Sequence, residues 1–248
     1  MLSKMKPVIL ILIGALMAAG VAAFFLLHPA EPPPTSPAAP APAVAATPPP
    51  DLDALKAKAA AGDPAAQTSL GWVYQKGAGV KPDAKAAVNW FRQAADQNYA
   101  EAQVALGELL QAGQGAKSDP AGAAKLFRQA ADQGSAAGQY DLAYLYEQGT
   151  GVAQSETNAA KWYELAAAGG DPVAQYDIGQ RYLLGVGVAT NLPQAFKWLT
   201  LAAGQGQADS TRLLKTLSSR MSAAEALQAA QLVKEFVPRA ATTNHPVQ

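Results

Sequence analysis

The 248-residue chain contains no cysteine. That absence excludes disulfides, thiolate metal sites, a cysteine nucleophile and a lipidated N-terminal cysteine. Histidine is almost missing: there are two, His28 beside an apolar run and His245 near the last residue. No histidine is therefore available as base or ligand in the body of the chain. Net charge is absent too, with 19 basic and 19 acidic residues. Lys4, Lys6 and Glu31 are the only charges before residue 51, which leaves 17 basic against 18 acidic residues in 51–248. So neutral a body lacks the basic footprint of a nucleic-acid binder. The strings HExxH, Gly-x-Ser-x-Gly and the P-loop do not occur, and each would be needed to place a particular chemistry. The expectation is a protein that is not an enzyme, with no catalytic residue, metal, cofactor or nucleic-acid partner.

One long apolar run is present. Lys4 and Lys6 precede an uncharged stretch in which Val8–Leu27 makes 20 residues. At about 1.5 Å per helical residue it reaches roughly the 30 Å of a hydrocarbon core. The lysines should stay cytoplasmic, so residues 8–27 are expected to anchor the chain in a membrane with the rest translocated. The competing reading is a signal peptide cleaved near Val21-Ala22-Ala23. Phe24-Phe25-Leu26-Leu27 continue the run past that point and favour a signal anchor over 1–28. The expected setting is a cell inner membrane crossed once, with the array periplasmic; the alternative is release into the periplasm after cleavage. Residues 29–50 are nearly all Pro and Ala, with Pro triplets at 32–34 and 48–50. Proline removes backbone donors and blocks helix and sheet, so this is a spacer that can extend about 70 Å.

Beyond residue 50 the chain repeats every 36 residues, four times, without an insertion. Gly71, Gly107, Ala143 and Gly179 share one phase, and Trp90, Leu126, Trp162 and Trp198 share another. A period of this length marks a stacked array, which works by offering a surface. Each unit reads as two antiparallel helices. The first is preceded by Asp63, Tyr99, Ser135 or Asp171, and the second by Asp83, Asp119, Ser155 or Asn191. Seven of these eight are good N-caps; Tyr99 is not, and Asn98 is the expected substitute. The first helix ends in a Gly-x-Gly: Gly77/Gly79, Gly113/Gly115, Gly149/Gly151 and Gly185/Gly187. A phosphate loop would need a third glycine and a preceding strand, so these are turns. The tryptophan phase is expected to be core, since packing demands a fixed phase.

The recurring string Ala-Gln-x-x-Leu-Gly-x-x-Tyr, then Gly-x-Gly-Val, Ala-x-x-Trp-Phe/Tyr and Ala-Ala resembles the Sel1-like repeat, a relative of the tetratricopeptide repeat. In the first unit it is carried by Ala66-Gln67, Leu70-Gly71, Tyr74, Gly77 to Val80, Ala87, Trp90-Phe91 and Ala94-Ala95. The resemblance implies an all-α, right-handed superhelical solenoid of antiparallel helix pairs, here behind a single transmembrane helix. The units are expected at 63–98, 99–134, 135–170 and 171–206. Residues 51–62 are expected to cap the array at its N-terminal end and 207–238 at its C-terminal end, with 239–248 as a disordered tail. Ser222 to Glu225 is a capping box that opens the last helix.

The resemblance also implies that the first helices line the concave side. Their variable positions fall in columns: Thr68, Val104, Tyr140, Tyr176; then Trp72, Glu108, Tyr144, Gln180; then Gln75, Gln111, Glu147, Leu183. Trp72, Tyr140, Tyr144 and Tyr176 form an aromatic strip with Glu108 and Gln180 beside it, suited to peptide or glycan contacts. The competing reading is that some of these rings pack against the next unit. Asp141 and Asp177 share a column and are expected on a solvated face. The function that follows is a scaffold binding another protein through the concave face; the alternative is an accessory subunit of a cell-envelope polysaccharide or peptidoglycan enzyme.

Overall fold

The computed structural model describes residues 51–239; the apolar run, the spacer and the tail from 240 lie outside them. The described residues form eleven α-helices and no strand. They are α1 (Leu52–Ala60), α2 (Pro64–Lys76), α3 (Ala84–Asp96), α4 (Ala100–Ala112), α5 (Pro120–Asp132), α6 (Ala136–Gln148), α7 (Glu156–Ala168), α8 (Pro172–Leu184), α9 (Leu192–Gly204), α10 (Ala208–Ser218) and α11 (Ala223–Lys234). The pairs α2–α3, α4–α5, α6–α7 and α8–α9 are the four units, and every helix in them has 13 residues.

Side chains set the helix starts. Asp63 accepts from the Ala65 and Ala66 amides at 2.9 and 3.2 Å, and Asp119 accepts from the Gly122 amide at 2.9 Å. Asp83, Ser135, Ser155, Asp171 and Asn191 do the same work for their helices. Within the four units the exception is α4, whose Tyr99 makes no cap bond; beyond them Gln207 before α10 makes none either. Asn98 does not replace Tyr99. Its φ is +62°, in the left-handed region where the other units hold Gly62, Gly134, Gly170 and Gly206. Its carbonyl oxygen instead accepts from the side-chain amides of Gln103 and Gln133 at 3.0 and 3.2 Å.

Within a unit the two helices close on a ring against a glycine. A Cβ added at Gly71 would lie 2.6 Å from the Phe91 ring, and one at Gly107 would lie 2.6 Å from that of Phe127. The residue after the tryptophan phase therefore fills the unit: Phe91, Phe127, Tyr163 and Leu199 are 0–1 % exposed. The expectation of tryptophan as core needs correction. Trp198 is buried, but Trp90, Leu126 and Trp162 are only partly so. They face backwards along the array. Trp90 packs against the cluster of Ala59, Ala66 and Leu70, and Trp162 lies 4.9 Å from the guanidinium of Arg128 in the preceding unit.

Successive helices pack in chain order, the nearest-neighbour pattern of a solenoid. The second glycine of each turn belongs to this stacking. A Cβ at Gly115 would come within 2.2 Å of the Ala84 carbonyl oxygen, at Gly151 within 2.2 Å of that of Pro120, and at Gly187 within 2.1 Å of that of Glu156. Gly79, with no complete unit before it, meets nothing within 4 Å.

The array ends differently from its interior. α10 packs on α9 as a fifth first helix would. α11 opens on the expected capping box, but it turns back along α9 rather than completing a pair with α10. Phe236 then meets Trp198 edge-on at 5.5 Å, and the Arg239 amide donates to the Ala168 carbonyl at 2.7 Å.

Candidate functional site

Burial separates the columns of the first helices. α4 and α6 touch directly, so one column is trapped between neighbouring units. Thr68, Val104 and Tyr140 are 2 %, 8 % and 5 % exposed. Tyr176, beside the shorter α10, is partly exposed. The next column opens to solvent: Glu108 is exposed, and Trp72, Tyr144 and Gln180 are partly so. Gln75, Gln111, Glu147 and Leu183 continue the open face as partly exposed residues.

Of the residues singled out from the sequence, Tyr140 moves inward. Its ring lies edge-on to Tyr163 at 5.4 Å, and the neighbouring Asp177 adds to the burial that pushes its hydroxyl up. It joins α6 to α8 rather than presenting a surface. The others keep an open edge while being held in place. The Trp72 indole N–H donates to Glu101 at 3.3 Å, and its ring sits edge-on to Phe91 at 5.0 Å with the Lys76 ammonium 5.2 Å from its centre. Gln180 donates to the Tyr176 hydroxyl at 2.7 Å. Rings fixed by packing and hydrogen bonds lose little entropy when a partner covers them.

Asp141 and Asp177 do not lie on a solvated face. Both are partly buried. Desolvation, followed by the nearby Glu108 and Asp171, pushes the Asp141 carboxyl well above the ordinary range. Desolvation and then Glu147 push Asp177 up to about 7, against the lowering influence of Arg181 and the Tyr140 hydroxyl. Glu108 is raised by desolvation as well.

A second set of residues entered the sequence reading only as the glutamine of the Ala-Gln motif, with no role given to it. Gln67, Gln103, Gln139 and Gln175, each the fourth residue of its helix, are 1–6 % exposed. Gln67, Gln139 and Gln175 donate to the Ala59, Ala131 and Ala167 carbonyls, each at 3.2 Å, at the end of the preceding second helix. The oxygens of Gln67, Gln103 and Gln175 accept from Gln97, Gln133 and Gln205 at 2.8, 2.7 and 2.9 Å, at the end of their own unit's second helix. Gln67 and Gln175 thus each tie together three consecutive helices, whereas Gln103 joins the Asn98 turn to the second helix of its unit and Gln139 joins two helices. A polar residue at fixed phase, flanked by recurring alanine, was the signal that could have found them. These glutamines also account for polar atoms that packing alone would leave unpaired. Among the described residues, no group of three or more His, Cys, Asp or Glu side chains is placed to hold a metal ion.

Comparison with known proteins follows this geometry. The Sel1 repeat model matches four times in tandem, at residues 64–99, 100–135, 136–171 and 172–207. Among solved structures, a Sel1 repeat protein from Oxalobacter formigenes is 31 % identical with a TM-score of 0.63, over 75 % of this chain and 79 % of that one. A protective antigen of uropathogenic Escherichia coli is 24 % identical with a TM-score of 0.49, over 75 % of this chain and 48 % of the other. Curated proteins returned no match.

Proposed function

The chain belongs to the Sel1 repeat family, and from that premise we propose that it is a non-enzymatic scaffold whose concave face, built by α2, α4, α6 and α8, binds another protein. Sel1 repeat proteins act as protein-interaction scaffolds, and the four tandem matches cover this array. The observation that carries the reading is the open column Trp72, Glu108, Tyr144 and Gln180. It repeats at a fixed phase on four successive helices, yet its residue types differ at every step. Columns that packing requires are alike; a column free to differ is one that a partner can select. Its aromatics and amides offer contact area and hydrogen bonds together.

The same proposal places the array outside the cytoplasm. Residues 8–27 would cross the membrane once, the Pro/Ala segment 29–50 would hold the array away from the bilayer, and Lys4 and Lys6 would remain inside. No described helix is long and apolar enough to cross a membrane, so the anchoring rests on the apolar run alone.

Two experiments test the reading. Cross-linking and affinity capture with the full-length chain should recover one specific protein. Trp72→Ala and Tyr144→Ala should each weaken that complex by about tenfold or more, as loss of an aromatic hot spot does, with the helical content of the free protein retained; Trp72→Ala also lowers its thermal midpoint, since the ring packs on Phe91. Undiminished capture by a folded double variant would remove the concave face from consideration. Reporter enzymes fused at residue 50 decide topology: activity of a periplasm-dependent reporter supports the anchor, and activity of a cytoplasm-dependent one rejects it.

A further inference from the structure

Charge is sorted between the two kinds of helix, although the chain as a whole is neutral. The first helices α2, α4, α6 and α8 carry Glu101, Glu108, Asp141, Glu147 and Asp177 against Lys76 and Arg181. The second helices α3, α5, α7 and α9 carry six basic residues against four acidic ones. The two cations of the first helices leave most of the groove unbalanced. Arg181 is 6 % exposed, and its nitrogens are taken up by Glu147 on α6 and Glu156 on α7, both at 2.7 Å. Lys76 stands at the end of α2, its ammonium 5.2 Å from the centre of the Trp72 ring, and α2 holds no carboxylate. What remains is one carboxylate on each of three successive first helices: Glu108 on α4, Asp141 on α6 and Asp177 on α8. None of the three forms an ion pair with a basic side chain among the described residues. Glu108 is exposed and the other two are partly so. Open rings accompany them: Tyr144 shares the column of Glu108 and follows Asp141 by three residues, on the same face of α6.

We propose that the concave groove takes an extended, cationic segment of its partner, with lysine or arginine at every third residue. This rests on the concave-face reading above and gives its partner a chemistry. α4 and α6 touch directly, and packed helices lie about 8–10 Å apart. An extended or polyproline chain advances about 3.1–3.3 Å per residue. Every third side chain of such a segment therefore comes level with the next first helix, where the next uncompensated carboxylate stands. The methylene stem of a lysine or arginine covers an aromatic face while its charge meets a carboxylate, so Trp72 and Tyr144 serve the same segment. Burial and then Glu108 push the Asp141 carboxyl up, and burial and then Glu147 push that of Asp177 up. A cation beside either one offsets the crowding of like charge. An acidic segment would add to that crowding, so the groove selects by repulsion as well as by attraction. Lys76 at the Trp72 end makes the two ends of the groove unlike, which sends any acidic residue of the segment toward α2.

Fluorescence anisotropy with the full-length chain in a non-ionic detergent tests the assignment. The probes are a labelled peptide of three Lys-Thr-Pro triplets and its counterpart of three Glu-Thr-Pro triplets, both extended and opposite in charge. Binding is read at low ionic strength, where exposed charges are least screened. The lysine peptide should bind about tenfold more tightly than the glutamate one, since like charges set against each other are rejected. The variant E108Q/D141N should lose about tenfold of that affinity, the order that two partly screened charge contacts supply. D96N/D132N removes the same charge from exposed positions on α3 and α5 and should lose little. No binding of the lysine peptide, equal or tighter binding of the glutamate peptide, or an equal loss in the two double variants would each overturn the cationic assignment. The comparison of the two peptides needs no variant to fold. If the assignment fails while capture of the natural partner still depends on Trp72 and Tyr144, the scaffold reading stands and only the chemistry of its partner is wrong.

Discussion

A glutamine in the interior of a helix ordinarily reaches water, and the buried column Gln67, Gln103, Gln139 and Gln175 departs from that habit because each side chain bridges neighbouring helices. Gln175→Ala would remove one hydrogen bond from the Ala167 carbonyl and one from the Gln205 amide, while the Gly170 amide and the Gly170 carbonyl still serve them. Each lost bond costs about 1 kcal/mol, readable as a lower urea midpoint. Gln139→Ala should cost less, since Gly169 stands where a second glutamine would be. The turn glycines make a second contrast. Gly79 and Gly115 have φ of +77° and +72°, so alanine at either is strained by about 1–2 kcal/mol. Only at Gly115 would the added Cβ also strike a backbone carbonyl, at 2.2 Å. Gly115→Ala should therefore lower the melting temperature clearly more than Gly79→Ala. The glycine columns were legible in the sequence as turns. Their second role was not, because the Ala84 carbonyl that Gly115 approaches lies a full unit earlier and no local pattern announces it.

At the scale of the element, N-caps and turns fix where nearly every helix begins and ends, and these were readable because capping is a matter of three or four adjacent residues. α4 is instructive. Tyr99 was recognised as a poor cap, yet Asn98 does not stand in for it, because its side chain is drawn to Gln103 and Gln133. The last helix shows a larger departure. Its capping box was visible, but its docking on α9 was not, since nothing in 223–234 distinguishes a fifth partner helix from a strap. What holds it is beyond its end: Phe236 on Trp198, with the Lys197 ammonium 3.8 Å from the indole centre. Phe236→Ala removes a partly buried ring and should cost about 2 kcal/mol, below the range for a fully buried phenylalanine. Faster hydrogen exchange confined to α11 and the adjoining part of α9, with α2 to α5 unchanged, is the expected signature.

For the whole molecule, stability is tied to pH through the third and fourth units. Asp177 has an ordinary value of 3.8 and is pushed up to about 7 by burial. The folded state therefore binds more protons than the unfolded chain between those values. Its contribution to stability is fully present below 3.8 and is lost as pH rises through about 7. Asp141 acts in the same direction. Urea midpoints compared at pH 5.5 and 8 should show a drop in the native chain that shrinks in Asp177→Asn. The open face of the groove belongs to this scale as well. Trp72, Glu108, Tyr144 and Gln180 share one column by period and reach solvent, while Tyr140 was grouped with them although it lies inside. Both columns have the same periodicity. Burial depends on how closely α4, α6 and α8 approach, which a single unit does not contain.

What the sequence by itself determined is everything that recurs within one 36-residue unit: two helices, their caps, the glycine turn and the apolar faces. Those features are local, and each copy states them again. The tertiary structure decided what lies between copies: the glutamine bridges, the backward-facing tryptophans, the folding back of α11 and the ion pairs of Arg181 with Glu147 and Glu156. Each depends on a distance between residues of different units, and stacking geometry, not the period, sets that distance.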